Sequence, residues 1–231
     1  MECGVAWFKI DVEGTVKYQP LLSVPSDSDR EAHPGALPKG ARAVFALEDW
    51  AQRYRDDNTC KYDHGTMRPT AGVGAIRAGL PYTPAKSPAT ASLYLDVRLS
   101  PGKTSEFVRK DIGQVLANAD LDATIECYLF RQGHVADETA VKSLIESIDA
   151  AHRVVRGGSP PEPRHEVTSM WRDSNIFNEA GTPAVNIGPP RSFETYGDTA
   201  EHCKLHMDDL VETAQLYAQT ALELCSDTME S

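Results

Sequence analysis

The sequence has no apolar run approaching the roughly 20 residues that a bilayer-spanning helix requires, and no cluster of Lys and Arg anywhere in its 231 positions. The first absence excludes a helical membrane span. The second argues against a phosphate-binding surface, which needs grouped cations; 23 Lys+Arg against 34 Asp+Glu, a net charge of −11, points the same way. Neither nucleic acid nor a membrane is expected as a partner. Cysteine is sparse: Cys3, Cys60, Cys127, Cys203 and Cys225 are odd in number and widely scattered. That pattern fits free thiols in a reducing compartment rather than a disulfide scaffold. Met1 to Trp7 lacks the basic-then-apolar order of a secretion signal, so the expected location is cytoplasmic. No internal repeat is visible and no Glu-Glu dipeptide occurs.

What is present is the composition of a globular protein, 41% hydrophobic and 25% charged, long enough for one large domain or two small ones. Residues 1–133 read as β-α-β-β-α-β. Ala6, Phe8, Ile10 and Val12 alternate with Trp7, Lys9, Asp11 and Glu13, the period of a half-buried strand. Ser, Pro and Asp make Leu21 to Gly40 a loop. Val44, Leu47, Ala51 and Tyr54 recur at helical spacing within Ala41 to Arg55, and Thr66 to Leu80 reads as one extended segment. After a Pro-rich loop, Leu93, Leu95, Val97 and Leu99 alternate with Ser92, Tyr94, Asp96 and Arg98. Thr104 can cap a helix that buries Phe107, Val108, Ile112, Val115 and Leu116, and Ile125, Cys127 and Leu129 alternate in a last strand. These elements predict an α+β arrangement: a four-stranded antiparallel sheet with both helices on one face.

Residues 134–231 follow a different grammar. Asp137 caps a helix striped by Val141, Leu144, Ile145, Ile148 and Val155, and Gly157 to Pro163 is a stiff linker. A short strand near Glu166 to Ser169, a helix from Asp173 to Glu179 stopped by Gly181, and a strand over Pro183 to Ile187 are expected next. A final helix, Asp208 to Cys225, is expected to bury Leu210, Ala214, Tyr217, Ala221 and Leu224. Few strands accompany these helices, so the segment reads as part of a larger α/β layer.

The string Ala91-Ser92-Leu93-Tyr94-Leu95-Asp96-Val97-Arg98-Leu99-Ser100-Pro101-Gly102 resembles the "DvR..Pg" strand of the metal-dependent amidohydrolases that include acetylornithine deacetylase, succinyl-diaminopimelate desuccinylase, aminoacylase and glutamate carboxypeptidase. Ile10 to Gly14 resembles the first strand of that family's lid, or dimerisation, domain. Met170 to Pro189, with its Gly181-Thr182-Pro183 and Gly188-Pro189, resembles a segment of the second half of the catalytic layer. The resemblance implies a lid over residues 1–133 and the C-terminal part of the catalytic α/β domain over 134–231. It further implies a homodimer formed through the lid, a small-molecule amide or peptide substrate, and zinc or another divalent metal as cofactor.

The family's other motifs, a "His-x-Asp" strand end, a bridging Asp and a Glu-Glu pair, precede the lid; the two-metal centre they build activates water on an amide carbonyl. This chain alone is therefore expected to be inactive and incomplete. The alternative is a non-catalytic dimerisation or binding module derived from the family. His202 and His206 lie where the family carries its last metal-binding His, and are the candidate ligands. The family's Gly-x-x-x-His reads Gly14-Thr15-Val16-Lys17-Tyr18, with Tyr18 for the imidazole; its Asn three residues before a Pro falls on Ala85, counting from Pro88. Arg98 can clamp a substrate carboxylate or pair with Asp96. Arg172 and Asp173 precede a helix where they can receive an anion, or where Asp173 simply caps it. Gly188 shapes a substrate loop or ends a strand.

Overall fold

The alternation Ala6-Phe8-Ile10-Val12 does form a strand, β1 (Gly4–Glu13), and all four of these side chains are buried. The computed structural model of the chain describes residues 2–23, 25–26, 32–62, 65–160, 169–188 and 207–227. It divides into two compact units, Met1–Val135 with Pro163–Asn175, and Ala136–Glu162 with Ile176–Ser231.

In the first unit, β1 is followed by α1 (Ala36–Asp57), a small hairpin of β2 (Cys60–Tyr62) and β3 (Gly65–Met67), then β4 (Ala71–Ala78), β5 (Thr90–Leu99), α2 (Ser105–Asn118) and β6 (Ala123–Arg131). The sheet runs β4-β5-β1-β6, every neighbour antiparallel. Inward side chains of β1 and β5 meet Ala43, Leu47 and Trp50 of α1 and Val108, Ile112 and Leu116 of α2 in one core, so both helices cover the same face. Thr104 caps α2 by accepting from the Phe107 N–H, and the Arg42 guanidinium donates to the Ala119 carbonyl at the helix's other end. Gly14 has a packing reason: a Cβ there would lie 2.1 Å from the Ala36 nitrogen, where α1 begins against the end of β1.

Two expectations need correction here. The extended segment Thr66 to Leu80 is not one strand but β3 and β4, separated at Arg68–Thr70; Pro69 has no N–H to continue a ladder. Phe107 is not buried but 40% exposed, with the Lys103 ammonium 4.1 Å from its ring centroid. It sits roughly 100° around the helix from Val108, outside the buried stripe.

The second unit contains α3 (Glu138–Arg156) and α5 (Met207–Asp227), packed on each other, while α4 (Ser174–Glu179) starts in the first unit and ends in the second. Asp137 caps α3 by accepting from Thr139 and Ala140, and Gly157 closes it at φ 75°. Ile145, expected on the buried stripe, is exposed. On α5 the buried residues are Asp209, Leu216 and Thr220, while Leu210, Ala214, Tyr217 and Ala221 are exposed. The helix is turned by about a quarter circle from the expected stripe, because the face toward α3 is the one it can cover. Pro183 to Ile187 forms no strand: the Asn178 side chain pairs with both backbone groups of Ala184 (2.9 and 3.0 Å), and no described strand lies alongside. Glu166 to Thr168 of the other expected strand lie outside the described residues, and Ser169 is in a turn.

Candidate functional site

The pleat of β1 and β5 sends every second side chain away from the helices. Trp7, Lys9 and Asp11 of β1 stand opposite Asp96, Tyr94 and Ser92 of β5, and Val5 stands opposite Arg98. On this open face Arg98 Nη2 donates to Asp96 Oδ2 at 2.9 Å, while Asp96 Oδ1 is buried and accepts no hydrogen bond among the described residues. The Arg98 main chain is fixed from two directions: its N–H donates to the Thr70 carbonyl (2.7 Å) and its carbonyl accepts from the Tyr54 hydroxyl (2.9 Å). Lys9 Nζ lies 2.7 Å from Asp11 Oδ2, and Ser92 donates to the same carboxylate. Burial works against the charged Asp11, but these two hydrogen bonds outweigh it and hold its pKa below the usual carboxylate value.

Three aromatic rings share the face. A bulge between Trp7 and Phe8 leaves Tyr128 of β6 as the extra residue, and its ring lies 6.0 Å from Trp7 and 6.4 Å from Tyr94. The Arg77 guanidinium of β4 stands 5.8 Å over the Tyr94 ring and has no carboxylate partner among the described residues. Sequence reading assigned these positions to a polar face and overlooked the rings; the signal was aromatic residues at the polar positions of three alternating strands.

The other candidates lie elsewhere. Arg172 and Asp173 precede α4, in a segment tied to the start of the chain: Asn175 donates to the Cys3 carbonyl at 3.1 Å and Ser174 to the Glu2 carboxylate. The Arg172 carbonyl accepts the Asn175 N–H at 3.0 Å; Asp173 is exposed and caps no N–H of α4 among the described residues. Gly188 belongs to the second unit, exposed, with nothing within 4 Å of where a Cβ would stand. His202 and His206 lie outside the described residues. Among the described residues no three His, Cys, Asp or Glu side chains converge on a metal position. Two surface hollows, of about 310 and 400 Å³, open beside the helices at Glu106–Arg109–Ile125 and Trp50–Lys103–Asp111 and include none of the expected site residues.

The two departures from the family pattern meet in space. Tyr18 bridges Lys86, and the neighbouring Gln19 N–H donates to the Ala85 carbonyl at 2.7 Å.

Residues 28–124 match the family described as the peptidase dimerisation domain. That stretch of the chain is similar to a peptidase dimerisation domain. Solved structures share its fold: a hydantoinase/carbamoylase family amidase from Burkholderia ambifaria (12% identity, TM-score 0.61, 96% of this chain and 47% of that one). The structure described as AtUAH in complex with glyoxylate matches similarly (13%, TM-score 0.62, 96% and 47%), as does an amidase of the hydantoinase/carbamoylase family from Burkholderia phymatum (14%, TM-score 0.58, 98% and 49%). At these identities the fold is what is shared, and the chain spans less than half the length of each of these structures. The four sheet strands and the two helices on one face of the first unit follow the β-α-β-β-α-β order read from the sequence, with the β2–β3 hairpin added after α1, and the match over residues 28–124 agrees with the resemblance noted there. No described helix is long and apolar enough to cross a membrane.

Proposed function

We propose that the chain supplies the lid of a cytoplasmic, homodimeric metal-dependent amidohydrolase that cleaves amide bonds of N-acyl amino acids or small peptides. The observation that carries this reading is Arg98. Its guanidinium sits at the open face of the dimerisation-domain sheet, on a backbone held from both sides by Thr70 and Tyr54. One Nη engages Asp96, and the remaining donors of the fork suit a substrate carboxylate. In this reading residues 1–133 are the lid and 134–231 belong to the catalytic layer. Arg172, Asp173 and Gly188 line the substrate there, and His202 or His206 serves a zinc or other divalent ion. Such an ion, when bound, polarises the amide carbonyl and acidifies a water.

The homodimer is supported by the edge strand β4. Beside it α1 exposes Phe45 (71%), and β4 itself exposes Ile76 (47%); an unpaired edge flanked by apolar side chains favours pairing with a second copy. The deciding experiment is calorimetric binding of N-acetylglycine to the parent chain and to Arg98→Met. Binding that weakens at least about tenfold in the variant supports the carboxylate role, a loss in keeping with a charge-assisted pair; equal binding removes it.

A further inference from the structure

The amidohydrolase reading uses the open face of the sheet and the edge at β4; the opposite edge, β6, has no part in it. β6 ends the sheet, with β1 as its one partner among the described strands. It is nine residues long, carries no Pro or Lys, and is regular from Ala123 to Cys127, ahead of the bulge at Tyr128. Protected edges are short, kinked or studded with Lys or Pro, and this stretch is none of these.

Helix α2 overhangs that edge. Val108, Ile112 and Leu116 are its buried stripe, and Asp111, which accepts from Trp50 Nε1 at 3.2 Å, marks the side toward α1. The row Glu106, Arg109, Lys110 and Gly113 leaves the helix on the other side and, with Ala123 and Ile125 of β6, lines the hollow of about 310 Å³. Gly113 keeps this hollow open. Glycine is a poor residue for a helix interior, and packing does not require it: a Cβ there would meet only Ile125 Cδ1, at an ordinary 3.7 Å. Arg109 is held by Glu106 through bonds of 2.8 and 2.9 Å, whereas Lys110 has no carboxylate partner among the described residues.

We propose that the β6 edge binds an extended peptide segment of a partner protein as an added strand, with a glutamate side chain of that segment seated in the hollow under α2. The unpaired backbone groups of an edge are matched by another strand and by little else. A strand laid beside β6 sends every second side chain toward the helix layer, where the hollow lies. Its floor of Ala123, Ile125 and Gly113 is apolar and its unbalanced charge is Lys110. Glutamate answers both, with methylenes for the floor and a carboxylate for the ammonium. A second copy fits less well, because pairing β6 with its own equivalent would set the cations of two α2 helices against one another.

The test is heteronuclear NMR on the full chain with the capped heptapeptide Thr-Val-Thr-Glu-Thr-Val-Thr and its Glu→Lys counterpart. Saturating glutamate peptide should shift amides of β6 and α2, and slow solvent exchange of alternate amides in Ala123–Cys127 at least about tenfold, with β4 unchanged. The lysine peptide should bind roughly three- to fivefold more weakly, as one exposed charge pair allows, and Lys110→Glu should invert that preference. Gly113→Leu, with a urea midpoint no lower than the parent's, should abolish binding by filling the hollow. Should that variant fold poorly, Lys110→Glu decides, since Lys110 is exposed on the helix surface. Absence of saturable shifts at millimolar peptide, slowing at β4 in place of β6, full binding by folded Gly113→Leu, or a preference unchanged in Lys110→Glu each overturns the proposal. Amides of β6 that slow without peptide as the protein concentration rises would place a second copy on this edge, and would overturn it too.

Discussion

Tyr18 and Ala85, 67 residues apart in sequence, lie on two facing segments joined by the Gln19 N–H to Ala85 carbonyl bond and by the Ser87 N–H to Lys17 carbonyl bond at 2.8 Å. The two positions at which the chain departs from the amidohydrolase pattern are thus one local feature. Residues in contact do not act independently. The double variant Tyr18→His/Ala85→Asn is expected to strengthen N-acetyl amino acid binding by more than the product of the single changes. Calorimetry on the four proteins of the cycle checks this, and strict additivity would show that the two positions do not cooperate.

Where Arg98 receives a substrate carboxylate as proposed, Asp96 competes for its guanidinium through the 2.9 Å ion pair. Asp96→Asn should release the guanidinium and tighten N-acetylglycine binding about threefold or more. The structural cost should be small, below roughly 1 kcal/mol, because the pair is partly exposed, with side-chain exposures of 28% and 43%. Weaker binding in Asp96→Asn would mean that Asp96 positions Arg98 rather than restraining it.

His152 lies on the buried side of α3, and burial, followed by the nearby Arg156 charge, lowers its pKa below the usual imidazole value; Asp149 and Glu212 act in the opposite direction. A depressed folded-state pKa means that the unfolded chain takes up the proton first. Its stability contribution is therefore complete above the unfolded pKa of about 6.5 and is lost as the pH falls through the lower folded value. Urea midpoints should drop between pH 7.5 and pH 5.5, and drop less in His152→Gln. An identical drop in both proteins would place the sensitivity elsewhere.

The orientation of α5 can be read from two leucines. Leu216→Ala should cost about 2–5 kcal/mol, the range for emptying a buried leucine site, since Leu216 is 1% exposed. Leu210→Ala, at 48% exposure, should stay within about 0.5 kcal/mol. Chemical denaturation distinguishes them, and the reverse order would restore the stripe expected from periodicity.

Association through β4 predicts a species of twice the chain mass in sedimentation at tens of micromolar. Phe45→Glu should shift it toward the monomer, because a charge replaces exposed apolar surface beside the pairing edge. A monomer in the parent at that concentration would count against the lid-mediated dimer.

Strand periodicity was decisive where burial is one-sided and local. The alternations in β1 and β5 told which side chains face the helices, and Thr104 and Asp137 announced their helices because a cap is a bond between near neighbours in sequence. The same alternation put Arg98 on the polar side of a central strand, where the structure has it. Periodicity misled on α5, where several stripes of similar apolarity exist and only the partner helix selects one.

The sequence by itself determined the β-α-β-β-α-β order, the inward residues of the central strands, the helix caps and the lid motif, since each follows from spacing over a few residues or from a contiguous string. Tertiary structure decided what depends on register and on contacts distant in sequence. The pairing of β1 with both β5 and β6, and the bulge at Trp7, gather Trp7, Tyr94 and Tyr128 from three strands into one group. A bulge changes which residue faces which by a single position, and no local pattern in Tyr128 or Leu129 encodes it. In the same way, Pro69 divides an apparently continuous strand, and the backbone bonds of Gln19 and Ser87 bring Tyr18 beside Ala85.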